Sequence, residues 1–318
     1  MRKKIIKRLI WALIIVFVLM NVVAFIHAYK FTHFDHSVAK TKNSSKLSSW
    51  DKIKTLIVGI NNPRPTNKKT PNLCYNIVHL ESNKKIECWQ IELEKSAKTD
   101  SAKGTVILFH GYSGEKASML DKSEEFFSLE YNTFLVDFMG SGGSEGIQTT
   151  LGFKEAAEVK TAYDYLTKQG EKRIYLFGTS MGSVAIMKAI NDYNLKPAGI
   201  ILECPFGSMY QTTCARFKNM NAPTFPMAGL LLFWGGVQNG FWAFGHNPTE
   251  YAKRVNCPTL LLYGEQDKDV SRQEIDAIFA NLKGTKTLKT FKLAGHENYL
   301  TKYKDEWIRD ITEFLTIN

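Results

Sequence analysis

From residue 71 onward the chain alternates short apolar runs with stretches whose apolar residues recur every three or four positions. The β-like runs are NIVHL (76–80), IECWQIEL (86–93), TVILFH (105–110), NTFLVDF (132–138), RIYLFG (173–178), AGIILE (198–203), PTLLLYG (258–264) and KTFKLAG (289–295). Helical periodicity falls at 117–130, 153–168, 182–193, 272–282 and 304–317. The first two runs follow one another with no helix between them, and the later ones alternate with helices. Runs such as VILF and TLLL have no polar face, as strands covered on both sides require. The pattern predicts a mostly parallel eight-stranded sheet flanked by helices on both faces and opened by an antiparallel pair. Residues 207–250 break the alternation between the sixth and seventh strands. The stretch 219–249 contains no Asp, Glu, Lys or Arg and is rich in aromatics, so it is expected to form a cap over the carboxyl edge of the sheet.

The net charge of +10 would suggest a polyanion partner if it were spread over the body. It is not. Residues 1–8 carry five positive charges and no acid, whereas residues 71–318 hold 27 Lys and Arg against 29 Asp and Glu. A nucleic-acid-binding face is therefore not expected. Residues 9–26, LIWALIIVFVLMNVVAFI, contain no charge and one polar residue, Asn21. At about 1.5 Å per residue they span about 27 Å, close to a bilayer core. The run is longer than a signal-peptide core, and Ile26-His27-Ala28 is a poor cleavage site. Residues 1–29 are thus expected to be an uncleaved single-pass anchor, with secretion after cleavage as the alternative. Arg2, Lys3, Lys4, Lys7 and Arg8 crowd one flank, against the more dispersed Lys30, Lys40, Lys42 and Lys46, which favours a cytoplasmic N-terminus and an outer body. Residues 30–70 are polar, end in Pro63, Pro65 and Pro71, and read as a linker; Asn43-Ser44-Ser45 is a glycosylation sequon. The five cysteines form no CxxC pair. Cys74 and Cys88 flank the opening strand pair and are the couple expected to bond, the alternative being five unpaired thiols.

Gly178-Thr179-Ser180-Met181-Gly182 fits G-x-S-x-G directly after the fifth strand and before a helix. A strand that turns into a helix within so few residues needs small neighbours and strains the residue at its apex. The following helix aims its N-terminal N–H groups at the site, where they favour developing negative charge. A serine nucleophile also needs a base and an acid that orients it. Glu265-Gln266-Asp267-Lys268-Asp269 follows the seventh strand, and Gly295-His296-Glu297-Asn298 follows the eighth. All three groups lie at strand carboxyl ends, the edge where such sheets build sites. Ser180, Asp267 and His296 are the expected catalytic set, with Asp269 as the main rival acid and Glu203 a lesser one. His110-Gly111-Tyr112-Ser113-Gly114 follows the third strand; backbone N–H groups of Tyr112 and Met181 are assigned to an oxyanion hole. His110 itself is read as structural. The GSGGSEG glycines match neither GxGxxG nor GxxxxGK[ST], so no nucleotide loop is expected.

HGYSG, DFMGSGGSEG, GTSMG, GEQDKDV and GHEN together resemble the α/β-hydrolase superfamily over residues 71–318, in particular its acylglycerol-lipase and serine-aminopeptidase-like branch, which includes membrane-anchored members. In that branch the second motif usually reads D-x-R-G-x-G-x-S-x-G; here Met139 stands in the place of the arginine. The resemblance implies an α/β-hydrolase fold with the cap inserted at about 207–250. It also implies acyl transfer to water, with neither metal nor organic cofactor. The expected reaction is cleavage of a carboxylic ester or thioester through an acyl-enzyme on Ser180. Met209, Phe233 and Trp234 in the cap are candidates for holding an apolar or lipid-like substrate. A second reading has these residues simply bury one another in the cap, and a third has residues 225–244 dip into the bilayer interface. Peptidase or amidase work on the same residues, and a non-catalytic binding protein that keeps the fold, are the alternatives.

Overall fold

The computed structural model describes residues 2–39, 41, 48–93 and 102–318. The sequon at 43–45, with Lys40, Lys42 and Lys46, lies outside the described residues. The strands are β1 (Asn76–Glu81), β2 (Lys85–Ile91), β3 (Thr105–Phe109), β4 (Asn132–Val136), β5 (Ile174–Thr179), β6 (Gly199–Glu203), β7 (Thr259–Gly264) and β8 (Lys286–Phe291). They form one sheet of eight in the order β1-β2-β4-β3-β5-β6-β7-β8. β2 runs antiparallel to both β1 and β4, and every other pairing is parallel. The helices are α1 (Arg2–Thr32), α2 (Ser49–Val58), α3 (Leu120–Ser128), α4 (Glu155–Lys168), α5 (Met181–Tyr193), α6 (Met209–Asn219), α7 (Met227–Asn239), α8 (Pro248–Tyr251), α9 (Arg272–Asn281), α10 (Tyr299–Lys302) and α11 (Lys304–Ile317).

Successive side chains of the central strands go to opposite faces of the sheet, which yields two apolar cores. Ile107, Phe109, Leu176, Ile200 and Leu202 join α4, α5 and α9 on one face. Val106, Leu108, Phe177 and Ile201 join α3 and α11 on the other. β8 begins at Lys286, three residues before the expected start, and gives way to a turn after Phe291. As an edge strand, KTLKTF is only half covered and carries little apolar signal, less than the stretch to its C-terminal side, which forms a turn instead.

The strand register also settles the cysteines. Asn76 pairs with Gln90 and Val78 with Cys88, so Cys74, two residues before β1, lies well along the strand from Cys88. All five thiols are free; Cys88 is buried and Cys74 exposed, which corrects the expected bond.

Residues 30–70 are more than a tether. Ser48 accepts from the Asp51 N–H at 3.1 Å and starts α2. Phe34 N–H donates to Ile147 O at 2.6 Å, and Arg64 N–H to Asp35 O at 2.9 Å. The Arg64 guanidinium donates to Gly142 O at 2.8 Å, to Gly146 O at 3.3 Å and to Ser144 O. A guanidinium from the lead-in thus ties up the glycine loop in a motif where Met139 replaces the usual arginine. Beneath that loop, Lys116 and Asp137 are fully buried. The ammonium pairs with Asp137 and with Glu87 at 2.7 Å, and lies 4.4 Å from the centre of the Trp89 ring. Lys116→Met strips Asp137 of its counter-charge and is expected to cost about 3–5 kcal/mol in urea unfolding. Adding Asp137→Asn should recover part of that loss, because no bare buried charge then remains.

Candidate active site

At the end of β5 the chain makes the strained bend expected there. Ser180 has φ 51° and ψ −109° and opens α5. The glycines two residues to either side of it, Gly178 and Gly182, cannot take side chains. A Cβ on Gly178 would come within 2.5 Å of the Gly182 carbonyl carbon, and one on Gly182 within 2.3 Å of Phe109 O. Gly182→Ala is therefore expected to cost about 1–3 kcal/mol in thermal or urea unfolding, since only backbone can yield.

The bend brings Ser180 to the loops after β7 and β8. His296 Nε2 lies 3.0 Å from Ser180 Oγ, and His296 Nδ1 lies 2.7 Å from Asp267 Oδ2. The other Asp267 oxygen accepts from the N–H groups of Asp269 and Val270 at 2.8 and 2.9 Å. The carboxylate side chain is fully covered, whereas the imidazole is 26% exposed. The structure therefore brings Ser180, His296 and Asp267 into one hydrogen-bonded chain. Asp269 instead accepts from Asn219 at 2.7 Å. Glu203 accepts from Trp307 Nε1 at 2.8 Å and Thr179 Oγ1 at 2.9 Å.

A family model described as "Serine aminopeptidase, S33" matches residues 100–233. The chain is 24% identical to protein bem46 of Schizosaccharomyces pombe over 83% of this chain and 86% of that protein. It is 22% identical to the uncharacterized protein YqkD of Bacillus subtilis, over 66% of this chain and 70% of that one. It is also 21% identical to the lysophosphatidylserine lipase ABHD12 of Macaca fascicularis, where it spans 49% of the relative's length. In structure it superposes on the Pyrococcus furiosus esterase Pf2001 with a TM-score of 0.64 at 22% identity, covering 80% of this chain and 98% of that one. The chain has the α/β-hydrolase fold.

In this fold the loop after β3 lies against the elbow. A Cβ on Gly111 would stand 3.7 Å from Ser180 Cβ. Next to it, Tyr112 is clamped by groups that the motif did not reveal. Its hydroxyl donates to Phe31 O at 2.7 Å and accepts from Asn62 Nδ2 at 2.7 Å. Its ring stacks on Phe31 with centroids 4.8 Å apart, and the Arg216 guanidinium lies 5.1 Å from its centre. Burial pushes the Tyr112 hydroxyl up to about 12, so it stays a donor. His110 is buried with its pKa lowered by desolvation. Its Nε2 accepts from the Phe138 N–H at 3.1 Å, so the proton sits on Nδ1, 2.8 Å from Gly111 O. It shapes the loop.

Cys204 is the site neighbour that the motifs missed. It directly follows β6, has φ 40°, and places Sγ 4.0 Å from His296 Nε2. Burial alone would lower the His296 pKa; the Cys204 sulfur and the Asp267 carboxylate work the other way, and the imidazole is pushed up. Cys204, Asp267 and His296 have ligand atoms within 4.8 Å of one another. They do not suit a metal ion: Asp267 occupies Nδ1 and Ser180 faces Nε2, so neither imidazole nitrogen is uncommitted.

Among the expected substrate residues, Met209 is buried in the core at the start of α6. Phe233 lines an apolar cavity of about 340 Å³ with Leu232, Val237, Phe241, Trp242 and Phe244. Trp234 faces α1: its indole donates to Asn21 Oδ1 at 3.1 Å and meets Phe25 edge-on.

Proposed function

We propose that this chain is a serine hydrolase that cleaves carboxylic ester or thioester bonds through an acyl-enzyme on Ser180, held at a membrane by α1. The observation that carries this reading is the Ser180–His296–Asp267 chain at a strained strand-to-helix bend. His296 Nε2 accepts the Ser180 proton as Oγ attacks the carbonyl carbon. The oxyanion is met by the N–H groups of Tyr112 and Met181, the latter at the positive end of α5. His296 then protonates the leaving alcohol or thiol. A water that gives its proton to the same nitrogen releases the acid and restores Ser180. Asp267 holds the imidazole in the required tautomer throughout. The lipase and esterase among the similar proteins support an ester substrate, and the apolar insert supports an acyl chain or lipid.

The full chain in detergent or nanodiscs should react with a fluorophosphonate probe at Ser180, located by peptide mass spectrometry. It should also hydrolyse p-nitrophenyl esters, with a chain-length profile that sizes the pocket. A folded protein that neither reacts nor hydrolyses would overturn the reading and favour a binding protein. One observation favours amide substrates instead: the family model that matches is named for an aminopeptidase. Turnover of aminoacyl-naphthylamides without ester turnover would decide for it.

The anchor reading adds that the N-terminus lies in the cytoplasm and the body on the outer side. α1 is 31 residues long and, among the described residues, is the one helix long and apolar enough to cross a membrane.

A further inference from the structure

α7 is apolar nearly all round, yet it buries only Ala228, Leu232, Gly236 and Asn239 against the protein. A second stripe lies along α1. Trp234 Nε1 donates to Asn21 Oδ1 at 3.1 Å, Gln238 Nε2 to Phe25 O at 2.8 Å, and Asn239 Nδ2 to Thr32 Oγ1 at 3.1 Å. A Cβ on Gly235 would stand 4.0 Å from Ala28 Cβ. Within each row of contacts, Trp234/Asn21 to Gln238/Phe25 and Gly235/Ala28 to Asn239/Thr32, the numbers rise together, so the two helices run parallel. The third face carries Phe233 and Val237, 42% and 55% exposed; beyond the ends of α7, Phe225 and Trp242 are 84% and 66% exposed.

This register fixes a depth. A bilayer core of about 30 Å takes up about 20 helical residues. Counted from Leu9, just past the basic cluster, it ends near Ala28. Asn21 then lies about 10 Å below the outer boundary at about 1.5 Å per residue. Trp234 is level with Asn21, and the rest of α7 toward Met227 lies deeper still. Asn21 is the single polar residue of the apolar run, and its amide is satisfied at that depth by Trp234 and, from Nδ2, by Phe17 O at 2.9 Å. Residues 219–249 carry no charge to oppose immersion.

We propose that α7 and the turn before it are immersed in the bilayer beside α1, with Phe225, Phe233 and Val237 against lipid acyl chains. The insert between β6 and β7 is thereby seated in the lipid phase, and an amphiphilic ester reaches it without crossing water. The inference rests on the reading of α1 as a membrane span, and the experiment separates the two.

The full chain is placed in dioleoylphosphatidylcholine vesicles with and without a dibrominated phosphatidylcholine, whose bromines quench nearby tryptophan. Phe225→Trp and Val237→Trp each add one reporter on the proposed lipid face. Ile77→Trp, 54% exposed on β1, adds one on the body. Trp11→Phe removes the native reporter inside the span. The added emission at 225 and 237 is expected to be blue-shifted and largely lost to bromolipid, and that at 77 retained. Equal quenching at 225, 237 and 77, with quenching still lost in Trp11→Phe, would mean that α1 spans and α7 stays outside, which overturns the inference alone. Quenching at none of these positions and no change in Trp11→Phe would remove the span and the inference together.

Discussion

Ser180→Ala is expected to lower kcat for p-nitrophenyl ester hydrolysis by about 10⁶-fold, the scale seen when a serine nucleophile is removed from a complete triad. Fluorophosphonate labelling should vanish with it. Folding should not suffer. Alanine keeps the Cβ, the elbow geometry is carried by the backbone and by Gly178 and Gly182, and the lost hydroxyl is paired with the partly exposed His296 rather than with the core. An unchanged melting temperature with lost turnover is therefore the expected pair of results. A variant that keeps most of its activity would show that Ser180 is not the nucleophile. Any trace of hydrolysis above the uncatalysed rate would come from oxyanion donors and substrate positioning, which the change leaves in place.

The elements legible in the sequence are those whose physics is local. Central strands such as VILF and TLLL are covered on both faces, so each position had to be apolar, and the runs declared themselves. The elbow was legible for the same reason: a strand, a bend and a helix in direct succession leave Gly178, Ser180 and Gly182 few alternatives. The choice between Asp267 and Asp269 was not local. It is made by the turn after β7, which folds the N–H groups of residues 269 and 270 back onto Asp267 and turns Asp269 toward Asn219. Least legible were the contacts that cross the chain. Arg64 on the glycine loop, Asn62 and Phe31 on Tyr112, and Trp234 on Asn21 each join segments more than 70 residues apart, apart from the Asn62–Tyr112 pair at 50. No periodicity marks such residues. They explain why residues 30–70 read as a linker although they help hold the site. A fragment starting at residue 31 would lose Ala24 and Ala28, both buried, and bare the α7 face that α1 covers.

Asp267→Asn is expected to lower kcat by about 10⁴-fold, the loss known for the equivalent change in a serine triad, and the geometry says why. An asparagine oxygen can keep the two bonds from the N–H groups of Asp269 and Val270. Its amide then points at His296 Nδ1 and donates to it. That nitrogen must accept, so the imidazole proton moves to Nε2, where it faces Ser180 Oγ and cannot take a second proton. The pH profile should distinguish this from a mere loosening of the site. In the wild type the base must be neutral, and the Asp267 contact raises its pKa, so activity falls as pH drops through that raised value. In Asp267→Asn the Cys204 sulfur stays but the carboxylate charge that helps raise it is gone, while burial still disfavours the imidazolium, so the acid limb should move to lower pH. A reduced rate with the limb moved down would tie Asp267 to His296 in the reaction. A limb that stays put would break that tie, even at the same loss of rate.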